Sequence, residues 1–155
     1  MLSHVNENNE PQMVNVGSKV ASHRMAHARA IVVLPPEAAA LMRDGELLTK
    51  KGPVFHTAIL AGIMGAKKTS ELIPLCHPVG LDDCKLEIRA ESEGRVVIDC
   101  HASVHHKTGV EMEALTGATV AALTIYDMCK ALSHDIVIQE ICLVGKTGGK
   151  RDFQR

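Results

Sequence analysis

Residues 109–132, GVEMEALTGATVAALTIYDMCKAL, carry acids, hydroxyls and a lysine at short regular spacings. At 100° per residue, Glu113, Thr116, Thr119, Asp127 and Lys130 fall within an arc of about 120° on a helix, with Ala114, Ala118, Ala121, Ala122, Ile125, Met128, Cys129 and Leu132 opposite. An aspartate one turn from a lysine in a partly buried cleft can pass a proton, because burial lowers the lysine pKa while the carboxylate orients it. The same spacing fits a solvated face with an i,i+3 ion pair, which adds roughly 0.2–0.5 kcal/mol. At the front of the segment, Glu111 and Glu113 could complement the positive end of a helix. On an extended stretch they would instead turn two carboxylates to one side, where they could accept the N–H edges of a guanine-like ring.

A second set of residues could hold anions. Lys50 and Lys51 precede Gly52, Lys107 precedes Thr108 and Gly109, Lys146 and Lys150 flank Gly148 and Gly149, and Lys19 and Arg24 lie near the start. Lysines in such loops are usually solvated, but several loops converging would make a phosphate site. The stretch GKTGGKRD is not a P-loop: its glycines are one residue too close, Arg151 stands where Ser or Thr is needed, and no helix fits before the last residue. The nine histidines lack the H-E-x-x-H pattern of a zinc helix. His101, His105 and His106 read as surface side chains of a strand, and no metal site is expected. LIPLCHP, residues 72–78, sets Cys76 and His77 between Pro74 and Pro78. Adjacent residues diverge in direction, so an inward Cys76 with an outward His77 is expected rather than a thiol nucleophile with its base.

Elements must hold these residues in place. Residues 28–34 are β-branched and stop at Pro35 and Pro36, and PPEAAALMRDG suits a short helix ending near Gly45. Residues 57–73 put Ile59, Leu60, Ile63, Met64 and Ala66 at helical spacing before Pro74. Residues 84–90 and 95–105 alternate apolar and polar, two strands of a hairpin turning at Gly94. A long helix over 110–132 and a strand over 136–144 complete the order. The predicted class is α+β, a ferredoxin-like βαββαβ sandwich with one additional helix. Residues 1–12 are polar and predict a flexible arm, residues 13–150 a single domain, and residues 151–155 a short tail.

Composition removes several function classes. A net charge of −1 and a pI near 6.7 give no global attraction to nucleic acid or anionic membrane. No apolar run is long enough to cross a bilayer, and the start lacks a signal-peptide pattern. Five cysteines without a C-x-x-C pair suit reduced thiols, so a cytoplasmic protein is expected. Phe55, Tyr126 and Phe153 are the only aromatics, and neither hairpin strand carries one to stack an RNA base. A domain that binds a nucleotide without turnover remains as a rival, for which loop lysines would suffice and the Asp127–Lys130 pair would be dispensable.

In order along the chain, MVNVGSK, KGPVFHTAILAGIMGAKKTSELIPLCHP, KTGVEMEALTGATVAALTIYDMCKA and KTGGK resemble the signature blocks of the MoaC family. These are the cyclic pyranopterin monophosphate synthases of molybdenum-cofactor biosynthesis. The resemblance runs over about residues 13–150. It implies conversion of 3′,8-cyclo-7,8-dihydroguanosine 5′-triphosphate to cyclic pyranopterin monophosphate and pyrophosphate. It also implies a ferredoxin-like fold and a homohexamer, a trimer of dimers with its sites at dimer interfaces. By motif, it assigns proton transfer to Asp127, Lys130 and Lys51. It assigns the phosphates to His77, with its neighbours Cys76 and Pro78, and to Arg24, Lys67 and Lys146. Glu111, Met112 and Glu113 become the strip that binds the purine-derived ring. Pro74 and Pro78 would then fix the loop that presents His77. No redox cofactor is implied, though a divalent cation could accompany the triphosphate. The family usually has Asp where this chain has Asn15 and Pro53, and often Gly where it has His106.

Overall fold

The computed structural model describes residues 4–155. A long strand β1 (Ser22–Val33) is followed by a one-turn helix α1 (Pro36–Ala39) and three short strands, β2 (Met42–Arg43), β3 (Glu46–Thr49) and β4 (Gly52–Pro53). Helices α2 (Val54–Lys67) and α3 (Thr69–Leu72) lead to β5 (Asp83–Ala90), which turns into β6 (Arg95–His106). The long helix α4 (Glu111–Cys129) precedes β7 (Val137–Thr147) and β8 (Phe153–Gln154). The main sheet runs β5-β6-β1-β7-β8 with every pair antiparallel. Its four long strands with α2 and α4 as the crossovers form the expected ferredoxin-like arrangement.

Several boundaries differ from the expectation, each for a local reason. The helix expected up to Gly45 is only one turn long. Asp44 and Gly45 both take positive φ (50° and 77°) and close a two-residue hairpin, with Arg43 opposite Glu46. The helix expected over 57–73 starts at Val54 and breaks at Lys68, leaving α3 as a separate turn. Strand β1 begins at Ser22, six residues earlier than expected: Ser22–His27 are mostly polar, with Ala26 the buried position, and pair along β6 all the way to His106. Of the expected arm, residues 1–3 lie outside the described residues. Residues 4–12 form a loop with a bridge between Val5 and Pro11 and Asn6 bonded to Glu10. The expected tail contributes β8, which pairs Phe153 with Lys146.

Both long helices lie on one face of the sheet over an aliphatic core that includes Val32, Val96, Ile98, Ala118, Ala122 and Ile125. Glycine brings the layers close: a Cβ on Gly62 would lie 2.8 Å from the Gly117 carbonyl, and one on Gly117 would lie 2.7 Å from Cys100 Sγ. This lateral packing of α2 buries Glu113 and Thr116, which the helical wheel put on the polar arc. The remaining outward face of α4 mixes Met112, Leu115, Leu123 and Tyr126 with Thr119, Asp127 and Lys130.

The other sheet face carries a buried charge cluster. The Asp99 carboxylate accepts Nε and Nη2 of Arg29 at 2.8 and 3.2 Å and Nη1 of Arg89 at 2.6 Å, and it meets His27 Nε2 at 2.6 Å. His27 stacks on His101 with ring centroids 4.0 Å apart. Burial alone would raise the Asp99 pKa, but the two guanidiniums and the imidazole hold it far below the carboxylate range.

Candidate active site

The residues singled out in the sequence gather at the two ends of α4. At its N-terminal end a cleft of about 170 Å³ is lined by Cys76, His77, Thr108, Glu111, Met112 and Glu113. The loop of Leu75 to Val79 forms one wall and the first turn of α4 the other. Helix α4 begins at Glu111, so Glu111 and Glu113 diverge rather than project side by side as an extended stretch would have them. Both still line the cleft, with different partners. Glu111 Oε1 accepts Lys146 Nζ at 2.8 Å; burial opposes its ionisation, but Lys146, the residue's own backbone N–H and Arg24 together bring its pKa below the ordinary value. Glu113 is 4 % exposed and has no ion-pair partner among the described residues; burial, with the neighbouring Glu111 adding to it, pushes its pKa up against the opposing bond from its own backbone N–H.

The phosphate candidates are distributed around this cleft. Arg24 and Lys146 line a crevice beside Glu111, where Arg24 Nε donates to the His106 carbonyl at 3.1 Å. His77 lines the cleft and its Nε2 donates to the Val14 carbonyl at 2.8 Å. Pro78 follows it in a stretch without regular structure, and Met112 lies on the rim. The Cys76 thiol is half-buried and its pKa is raised by burial, which opposes a thiolate role. Lys67, the last residue of α2, opens onto an adjoining hollow with Val79, Asp82 and Asp83 rather than onto the cleft itself.

At the other end of α4, Asp127 joins two lysines. Its carboxylate accepts Lys130 Nζ at 2.8 Å and Lys51 Nζ at 3.0 Å, and its main-chain carbonyl accepts Lys51 Nζ at 3.1 Å. All three side chains are about half exposed, at 55, 49 and 50 %. The expectation of a buried lysine with a lowered pKa is therefore corrected for the single chain. The Asp127 carboxylate raises the pKa of Lys130, and Lys130 and Lys51 lower that of Asp127.

Lys51 is held by a device the sequence reading missed. Glu46 on β3 accepts backbone N–H groups of Leu47, Phe55 and His56 at 2.7, 2.7 and 3.1 Å, and its Oε2 lies 2.6 Å from His56 Nδ1. It thereby caps α2, whose N-cap position is Pro53 with no side chain to offer, and ties the loop that carries Lys51 to the helix. Burial works against the Glu46 charge, yet these donors bring its pKa below the ordinary value. A hollow of about 510 Å³ lined by Leu41, Leu48, Met128 and Leu132 opens beside this group.

The two groups do not meet within one chain. Sixteen helical steps from Glu111 to Asp127 correspond to about 24 Å along the axis. A family model described as the MoaC family matches residues 13–149. The chain belongs to the MoaC family. It is 49 % identical over 152 residues to the cyclic pyranopterin monophosphate synthase of Xanthomonas oryzae pv. oryzae, covering 98 % of this chain and 92 % of that protein. It is 47 % identical over 159 residues to a molybdenum cofactor biosynthesis bifunctional protein of Synechocystis, spanning all of this chain but 46 % of that protein. It is 46 % identical over 166 residues to molybdenum cofactor biosynthesis protein 1 of Dictyostelium discoideum, spanning 96 % of this chain and 26 % of that protein.

Within this MoaC chain, two departures from the usual family pattern have readable consequences. Asn15 Oδ1 accepts the Gly17 N–H at 2.8 Å, a role an aspartate would also fill. Pro53 accepts Thr57 Oγ1 through its carbonyl at 2.6 Å and starts α2 from fixed extended φ and ψ. Gly109 is a further site residue that spacing did not reveal. A Cβ there would lie 2.8 Å from Glu111 Cδ, so the bare glycine leaves room for the carboxylate to fold back toward Lys146.

Proposed function

We propose that this chain is a cyclic pyranopterin monophosphate synthase, acting on 3′,8-cyclo-7,8-dihydroguanosine 5′-triphosphate. The observation that carries the reading is the 49 % identity to a synthase over 98 % of this chain and 92 % of that protein, together with the two groups found at the ends of α4. The pterin-forming rearrangement moves protons between nitrogen and carbon centres, work for Asp127 with Lys130 and Lys51. In the phosphate step a hydroxyl gives up its proton and bonds to the α-phosphorus. The bond to the β-phosphate bridging oxygen breaks, and its electron pair leaves on pyrophosphate. Lys146 and Arg24 supply fixed cations for that growing charge, the His77 ring adds an N–H donor, and Lys67 contributes its ammonium from the adjoining hollow. Glu111 and Glu113, with Met112 against the ring, orient the purine-derived end. Electrons are neither gained nor lost overall, so the reading needs no redox cofactor, and a divalent cation accompanying the triphosphate is compatible with it.

A complete site requires a second copy. In a two-fold pair of antiparallel α4 helices crossing near Thr119, the Asp127 group of one copy would approach the Glu111 cleft of its partner. The exposed Leu60, Met64 and Leu123 on the outward helical face support such packing, and a homohexamer built from three such pairs follows the family pattern. Five free thiols support a reducing cytoplasmic setting. No helix among the described residues is long and apolar enough to cross a membrane.

The test is incubation with the cyclised dihydro-GTP, assaying pyrophosphate release together with the fluorescence of the oxidised pterin. Wild type should turn over and Lys130→Ala should lose at least about 100-fold. Tight binding with no pyrophosphate release would instead identify a nucleotide-binding relative.

A further inference from the structure

Residues 14–17 lie beside the N-terminal cleft and are tethered by two side-chain N–H donors, those of His77 and Lys107. His77 Nε2 donates to the Val14 carbonyl at 2.8 Å, which requires the proton on that nitrogen. Lys107 Nζ donates to the Gly17 carbonyl at 2.9 Å. Both tethers end on backbone oxygens, so they hold the segment whatever its side chains. Asn15 Oδ1 keeps the segment folded through the Gly17 N–H, and the Val16 carbonyl accepts the Lys19 N–H at 3.1 Å. Further back, His4 reaches the rim of the same cleft, which His77 lines directly and Lys107 adjoins through Thr108 and Gly109.

We propose that residues 14–17 form a strap whose carbonyl oxygens occupy the anion positions of His77 and Lys107, and that a phosphate chain entering the cleft displaces it. This deepens the proposed function, resting on its placement of a triphosphate at this cleft, and adds Lys107 to the groups that hold it. The exchange has a direction. A carbonyl is a neutral acceptor, whereas a phosphate oxygen is anionic and forms charge-assisted bonds about twice as strong with the same donors. Released residues also regain backbone freedom. Until that exchange the strap masks positive charge that would otherwise attract any passing anion.

The test uses the full chain and inorganic pyrophosphate. Calorimetry reads affinity, and limited trypsin cleavage after Lys19 reads release of the strap. Pyrophosphate should accelerate that cleavage. Asn15→Ala, which loosens the strap and leaves both donors in place, should bind pyrophosphate about three- to tenfold tighter, because less of the protein is held in the closed form. Lys107→Met should release the strap yet weaken pyrophosphate binding. Slower or unchanged cleavage with pyrophosphate, an Asn15→Ala variant that binds no tighter, or no pyrophosphate binding at all would overturn the proposal. Turnover of the cyclised substrate is measured separately on the same proteins, so a strap indifferent to pyrophosphate in an active synthase refutes the strap alone.

Discussion

The two ends of α4 are built on opposite principles. At the N-terminal end, carboxylates are enclosed, and one of them, Glu113, has no ion-pair partner among the described residues. At the C-terminal end, a single carboxylate shared by two lysines stands half in solvent. Enclosed carboxylates beside a cleft suit recognition of a shaped ligand, and an exposed acid–base group suits chemistry only once something covers it. The comparison teaches that each end lacks what the other has, and that a rigid helix of 19 residues keeps them apart in one chain.

The largest expected effect comes from Lys130→Ala, which should reduce turnover about 10²- to 10⁴-fold with little change in stability, because the side chain is exposed. Mixing it with an inactive Glu111→Ala chain under conditions that exchange subunits should restore about a quarter of wild-type activity, since half the random pairs then contain one intact site of two. No recovery on confirmed exchange would break the pairing of opposite ends. Next in size is Gly109→Ala. Crowding of the Glu111 carboxylate should separate it from Lys146 and raise KM about tenfold, with a smaller change in kcat, read by steady-state kinetics.

Stability separates the same ends more finely. Glu46→Gln should cost about 1–2 kcal/mol, because the amide keeps one acceptor oxygen but loses the charge and the second oxygen that receives the His56 N–H. Because the Glu46 pKa is lowered on folding, its contribution is present above the ordinary value of 4.5 and lost as pH falls through the folded value. Thermal melts from pH 7 to 3 should therefore fall less steeply for the variant. Glu113 has the opposite sign: its folded pKa is raised, so the folded state holds the extra proton and stability falls as pH rises through that range. Glu113→Gln should raise the neutral-pH melting temperature by roughly 2–4 °C while weakening substrate binding.

The strands and long helices were legible because their apolar periodicity continues over many residues, as in residues 84–90 and 110–132. The Asp127–Lys130 pair was legible for the same reason, being one helical turn apart. Glu46, by contrast, lies eight residues before the helix it caps and reaches it only through the hairpin at Asp44 and Gly45. The burial of Glu113 was also invisible: the helical wheel measures one axis and contains no information about a second helix packing from the side through Gly62. Lys51 reaches Asp127 across 76 residues of chain, a proximity the motif resemblance implied and spacing could not.

The Asp99 cluster bears on how the sheet assembles. Arg29 belongs to β1 and Arg89 to β5, while Asp99 lies on β6 between them, directly opposite Arg29 and diagonal to Arg89, whose own register partner is Val97. Sliding either neighbour by one position would swing its guanidinium to the helix side and take donors away from a carboxylate that is 4 % exposed. The cluster therefore favours the native alignment of the central strands over versions displaced by one residue, independently of any ligand.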